Sequence, residues 1–214
     1  MDDFNNQNCK FTYIDIYNKL SQMFPNACCE LIYHNLYELC IAVMLSAQTT
    51  DEAVNKITPA LFKKYPDLYS LSNADIDDVM TLIKRIGLYQ NKAKNIINFA
   101  KKVLSDFKEI PNEFDKLVTL PGIGRKTANV ILSEWFKIPR IAVDTHVLRV
   151  SNRLNLSISK DPLKVERDLM DKYPEEIWSD LHLKLLFFGR YFCKAKKPNC
   201  ENCFYKEFCF DKIK

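Results

Sequence analysis

Residues 120–130 read LPGIGRKTANV. The 214-residue chain has four glycines, and two of them, Gly122 and Gly124, fall within three positions directly before a run of helical character. Glycine accepts positive φ and leaves no Cβ between the backbone and an approaching group. A helix over residues 113–120, a tight Pro-Gly-Ile-Gly turn and a second helix from residue 125 together predict a hairpin with a sharp corner. At such a corner the N–H groups of the turn and of the first helical turn point outward unpaired, at the positive end of a helix dipole. An anion is favoured there, and a phosphate fits. Gly-x-Gly alone would equally suit an αα-corner with a glycine C-cap. The basic pair Arg125 and Lys126 directly after it points instead to the phosphates of duplex DNA.

The charge distribution agrees. Net charge is only +4, but residues 1–60 carry three Lys/Arg against seven Asp/Glu, whereas residues 120–153 carry six against two. The positive charge is therefore local to the glycine pair. With 47% hydrophobic and 12% aromatic residues, the chain can bury a core as one domain or two small ones. Few glycines and little β-branched alternation leave scant material for hairpin strands, so the expected fold class is all-α. No apolar run approaches the ~20 residues of a membrane span. The start, MDDFNNQNCK, is acidic where a secretory leader would be basic and then apolar. The expected location is the cytoplasm, with the DNA, and no membrane partner.

Helical periodicity is clearest over 89–107, where Ala93, Ile96, Ile97, Ala100, Val103, Leu104 and Phe107 share one face. LYELCIAVMLSAQ and TTDEAVNKITPALFKKY read as two helices joined by a polar corner over residues 46–50. Thr49 and Glu52 have the spacing of a capping box. Further helices are expected over 11–23, 73–84, 113–119, 125–136, 145–154, 161–173 and 176–192.

The eight cysteines form two populations. Cys9, Cys28, Cys29 and Cys40 are scattered, and single thiols in a reducing compartment usually pack as small hydrophobes. Cys193, Cys200, Cys203 and Cys209 instead make a C-x6-C-x2-C-x5-C array within seventeen residues. Four thiolates so close can surround one metal centre. A four-cysteine zinc site is one reading; one short pair flanked by unequal longer loops suits a [4Fe–4S] cluster, in which each thiolate takes its own iron. Lys194, Lys196 and Lys197, between the first two cysteines, suggest a second phosphate-binding surface.

LPGIGRKTANVIL followed by IAVDTHVLRVSNR, the corner MLSAQTTDEAVNK, the segment IGLYQNKAKNI and the cysteine array, in that order, resemble the endonuclease III family. These are the bifunctional DNA glycosylase/AP lyases among the helix-hairpin-helix glycosylases. The likeness runs from about residue 12 to 209. It implies two helical domains flanking a DNA-binding cleft: residues 29–138 with the hairpin, and residues 1–28 plus 139–214 with the iron–sulfur loop. It further implies a monomer acting on damaged double-stranded DNA, excising oxidised pyrimidines and nicking the abasic strand by β-elimination. The same scaffold could serve another lesion, such as mismatched thymine or pyrimidine dimers, or a DNA-binding module without catalysis.

Breaking a C1′–N bond passes through a transition state of oxocarbenium character, so a carboxylate and a trapping nucleophile are the natural parts. Lys126 and Asp144 match the family's catalytic lysine and aspartate motifs. Lys126 would open a helix beside Arg125, where positive charge and the dipole disfavour an ammonium. From spacing alone it could instead be a phosphate contact, and Asp144 could be simply an N-cap, a role that also holds a carboxylate in place. A base inside the stack must be flipped out and its gap filled. Gln48 and Leu88 match the family's gap-filling glutamine and wedge leucine; read without the resemblance, they are a helix-end glutamine and a core leucine. Gly122, Gly124, Arg125, Thr127, His146, Lys194, Lys196 and Lys197 complete the expected DNA contacts, with His146 structural or phosphate-facing. One departure stands out: Phe188 takes the place where family members often carry histidine.

Overall fold

The structure is a computed structural model, described over residues 12–209. All regular elements among these residues are helical, as expected from the composition. In order they are α1 (Tyr13–Met23), α2 (Leu36–Leu45), α3 (Asp51–Lys64), α4 (Leu68–Ser72), α5 (Ile76–Ile83), α6 (Tyr89–Asp106), α7 (Phe114–Leu117), α8 (Arg125–Glu134), α9 (Thr145–Arg153), α10 (Pro162–Lys172) and α11 (Trp178–Phe187). A 3-10 turn, Glu175–Ile177, leads into α11, and a π turn, Phe188–Phe192, follows it. No helix among the described residues is long and apolar enough to cross a membrane.

Short polar side chains set most helix starts. Asn35, Thr50, Asp67, Asp75, Asp144 and Asp161 each accept a backbone N–H from the first turn they precede. The cap of α3 is thus Thr50, not Thr49, and Glu52 pairs with Lys56 at 2.6 Å instead of reaching back to the cap. Thr49 is used elsewhere, as described below. Four starts lack a capping side chain: α6, preceded by Leu88 in a left-handed conformation, α7, preceded by Glu113, α8, preceded by Gly124, and α11, which continues from the 3-10 turn.

The chain divides into two compact units, one of residues 29–138 and one of residues before 29 and after 138. In the first, α6 packs against α2, α4 and α5, and α2 also meets α3 and α8. Being surrounded, α6 buries more than one face. Phe99, off the expected stripe, is fully buried, while Leu104 and Phe107 at its far end are only half-buried. Helix α4 has no periodicity of its own long enough to read from sequence; Asp67 caps it and Leu71 anchors it in the core.

The second unit gathers α1, α9, α10, α11 and the cysteine loop around Leu20, Val147, Val150, Leu181, Leu185 and Phe188. The Tyr205 hydroxyl donates to the Ile16 carbonyl at 3.0 Å, tying the cysteine loop to α1. Phe188, at the phenylalanine-for-histidine departure, is fully buried, stacked on Phe192 and edge-on to Tyr205. Of the scattered thiols, Cys40 is buried as expected, and burial pushes its pKa up; Cys28 is exposed, and Cys9 lies outside the described residues.

Replacing Phe99 with Ala should cost about 3–5 kcal/mol, because its cavity lies where surrounding helices cannot close in. Urea unfolding followed by circular dichroism measures this.

Candidate functional site

In the first unit, α7 is shorter than expected, but the chain continues through hydrogen-bonded turns: Thr119 N–H to Lys116 O, Leu120 N–H to Leu117 O and Ile123 N–H to Leu120 O. The two glycines are not equivalent. Gly122 has φ +78°, and a Cβ there would lie 2.7 Å from Met44 Cε and 3.0 Å from Asn95 Cβ. It is required both by conformation and by the close approach of the hairpin to α2 and α6. Gly124 has an extended backbone (φ −94°, ψ 177°), and a Cβ would meet nothing within 4 Å. The bend therefore needs only the first glycine; the second leaves the mouth of α8 open.

With no side-chain cap on α8, the first N–H groups of that helix have no side-chain acceptor from Gly124. Gly124, Arg125 and Lys126 are all exposed, and Thr127 is half-exposed. The Arg125 guanidinium lies 4.9 Å from the centre of the Phe114 ring, which holds it beside the turn. Lys126 has no hydrogen-bond or ion-pair partner among the described residues. The arrangement can hold an anion on backbone donors with a primary amine next to it.

Two further turns lie beside this corner, at the end of α2 and the start of α6. Gln48 (φ 55°) and Leu88 (φ 59°) both adopt left-handed backbone. Gln48 is exposed in the turn that follows α2, and Leu88 is 57% exposed, so a core leucine does not describe the latter. A left-handed non-glycine residue costs ~1–3 kcal/mol and persists only where its surroundings enforce it. Lys92 links the two turns. Its buried Nζ donates to the Leu45 carbonyl at 2.9 Å and to the Thr49 hydroxyl at 2.7 Å, and burial pushes its pKa down. Sequence reasoning missed Lys92, since a lysine on a basic helix reads as solvated.

In the second unit, Asp144 caps α9. One oxygen, Oδ1, accepts from both His146 N–H and Val147 N–H at 2.8 Å, and Oδ2 has no donor among the described residues. This is a fixed carboxylate with one oxygen to spare. His146 packs its Cβ against Gly189, where an added Cβ would come within 2.9 Å, and its Nδ1 lies 3.4 Å from Arg149. Arg149 donates to the Gly189 and Cys193 carbonyls, and Arg153, 7% exposed, to the Lys194 carbonyl and the Cys193 sulfur. Part of the basic excess over residues 120–153 therefore serves the cysteine loop.

Cys193, Cys200, Cys203 and Cys209 line one cavity of about 600 Å³, walled by Phe188, Phe192 and Tyr205. The π turn delivers the first of them: Cys193 N–H donates to the Phe188 carbonyl five residues back at 2.6 Å. Burial, with the charges of Cys193, Cys209 and Cys200 nearby, pushes the Cys203 thiol up. Four thiols facing one space can surround a cationic centre. Among the described residues, no three His, Cys, Asp or Glu side chains converge tightly enough for a single metal ion. A lone zinc would need all four sulfurs ~2.3 Å from one point; a polynuclear iron–sulfur group holds its thiolates farther apart, one per iron. Four cysteines round one cavity are a donor set that either centre uses. Lys194, Lys196 and Lys197 are exposed on the loop, Lys197 with φ 52°.

Residues 41–175 match the HhH-GPD superfamily base excision DNA repair protein family. The chain is 50% identical over 188 residues to endonuclease III of Bacillus subtilis (strain 168), covering 87% of this chain and 86% of the relative. It is 41% identical over 197 residues to endonuclease III of Escherichia coli (strain K12), covering 92% and 93%. A solved endonuclease III–DNA trapped covalent intermediate superposes with a TM-score of 0.90 at 43% identity, over 94% of this chain and 97% of that one.

The glycine pair gives a contrasting test. Gly122→Ala should lower stability by about 1–3 kcal/mol through its left-handed backbone. Gly124→Ala should fold within about 1 kcal/mol of the wild type yet bind duplex DNA about tenfold more weakly, equivalent to roughly 1.4 kcal/mol of lost backbone contact. Thermal melts and fluorescence anisotropy report the two effects separately.

Proposed function

The chain belongs to the HhH-GPD superfamily of base excision DNA repair proteins and is a DNA glycosylase/AP lyase of the endonuclease III type; from that premise we propose that it excises oxidised pyrimidines from duplex DNA, with Lys126 as nucleophile and Asp144 as the supporting carboxylate. The observation that carries this reading is an exposed, unpartnered Lys126 amine beside the open, uncapped mouth of α8. A phosphate on those N–H groups would hold the strand with its sugar next to the amine. A similar enzyme has been trapped as a covalent intermediate with DNA, which supports a reading with a nucleophilic side chain.

As the C1′–N bond lengthens, positive charge builds on C1′ and O4′, and the base leaves with the bonding pair. The free Oδ2 of Asp144 is the group that would face that charge, while Oδ1 stays on its two N–H donors. The Lys126 amine bonds to C1′ through its lone pair, and as the C1′–O4′ bond opens one N–H proton passes to O4′, which leaves a protonated Schiff base. That iminium acidifies the C2′ hydrogens. Loss of one C2′ proton and departure of the 3′ phosphate break the strand by β-elimination, and water then releases the lysine. Gln48 and Leu88 would fill the gap left by the extruded nucleotide, and Arg125, Thr127, Lys194, Lys196 and Lys197 would contact phosphates. A module without catalysis is not favoured by the likeness to endonuclease III.

Endonuclease III proteins bind a [4Fe–4S] cluster. Here Cys193, Cys200, Cys203 and Cys209 would hold it, and when bound it supplies a structural cross-link. The chain's own residues already brace the loop: Arg149 and Arg153 fasten it to α9, and Tyr205 fastens it to α1. We place the working enzyme, a monomer, in the bacterial cytoplasm; its relatives are bacterial endonuclease III proteins.

Borohydride added during turnover should link the wild type covalently to lesion DNA, and Lys126→Ala should not be trapped; a trapped Lys126→Ala sinks the assignment. Asp144→Asn should keep the cap and DNA binding but lose on the order of 10²-fold in base release. A panel of lesion duplexes, including mismatched thymine and pyrimidine dimers, should rank oxidised pyrimidines first. The purified protein should carry about four irons per chain. Cys203→Ser should lose them together with thermal stability, as read by iron analysis and melting.

A further inference from the structure

Lys92 takes no part in the chemistry above, yet it is 6% exposed. Lysines are rarely buried unless paired, and here both acceptors are neutral oxygens, the Leu45 carbonyl and the Thr49 hydroxyl. Leu45 is the last residue of α2. Its carbonyl is one of those left without an intrahelical partner, at the negative end of the dipole, so an ammonium is favoured there. Thr49 lies on the far side of Gln48. One Nζ therefore grips the corner before and after the left-handed residue. The main chain of the same lysine donates to the Leu88 carbonyl at 3.0 Å, closing the first turn of α6 on the second left-handed residue. A single residue is thus bonded to both exposed turns.

We infer that Lys92 is a positioning residue for opening the duplex: it fixes Gln48 relative to Leu88, so that the two side chains can replace an extruded nucleotide together. The inference rests on the gap-filling roles proposed for those residues. Unstacking a base costs a few kcal/mol, and a wedge can hold the stack open only if its own backbone does not yield. Both turns are strained, and α6 starts without a capping side chain. The buried ammonium supplies the constraint that local sequence does not.

The test compares wild type, Lys92→Met and Thr49→Val in single turnover, with rates normalised to the active fraction found by borohydride titration. One duplex carries a paired, ring-oxidised thymine with 2-aminopurine opposite it to report stack opening; the other carries a preformed abasic site. Lys92→Met keeps the aliphatic stem but removes both side-chain bonds. It should release the base on the order of tenfold more slowly and lose the 2-aminopurine signal. Cleavage at the preformed abasic site should change by less than about threefold. Thr49→Val, which leaves the Leu45 bond intact, should show a smaller loss of the same pattern, and it carries the test should Lys92→Met fail to fold. Equal losses on both substrates, as general loosening would give, or unchanged base release overturn the inference. Gln48→Ala and Leu88→Ala separate the two ideas. Intact base release in both overturns gap-filling and this inference together; losses there beside a normal Lys92→Met and Thr49→Val overturn the inference alone.

Discussion

The contact at Gly122 is the constraint on which the hairpin end of the first unit depends. A backbone at φ +78° pressed against Met44 and Asn95 admits no side chain. It brings the hairpin turn onto the last turn of α2 and the early turns of α6. Because those two helices carry the Gln48 and Leu88 turns at their ends, one close approach assembles three turns from distant parts of the chain. The same approach leaves α8 beginning in the open, without a side-chain cap. Chemistry and strand binding can then share one helix end.

Strain and its support are arranged in pairs at this end. The left-handed backbone of Gln48 and Leu88 is unfavourable in itself, and each is held by bonds to Lys92. A polar group is buried to do this, and its cost is met because α2 ends where an ammonium is electrostatically favoured. The second unit follows a similar logic. A π turn, a glycine packed on His146 and two arginines bonded to loop carbonyls place Cys193. These features also put an aromatic wall, Phe188 with Phe192 and Tyr205, beside the thiols. Phe188 in place of histidine fits that wall without touching the cysteine set.

Read from sequence alone, the helices came out close to where they are, because apolar spacing and Asx or Thr caps are local signals. The exceptions each have an identifiable cause. Helix α4 is too short to show a period. The cap of α3 shifted by one residue because Thr49 and Thr50 are adjacent and chemically alike, and only the position of Lys92 explains why Thr49 is otherwise engaged. Phe99 was overlooked on α6 because a stripe predicts one buried face, whereas α2, α4 and α5 enclose that helix.

The sequence by itself determined the all-helical class, the basic hairpin, the cysteine array and the family, since each is written in contiguous residue types and spacings. Tertiary structure alone decided which of the two glycines makes the bend, that Leu88 faces solvent, that Arg149 and Arg153 serve the cysteine loop, and that Lys92 is buried between two turns. The physical reason is the same in each case: these facts depend on what a residue meets across the fold, and a side chain's neighbours there are far from it along the chain.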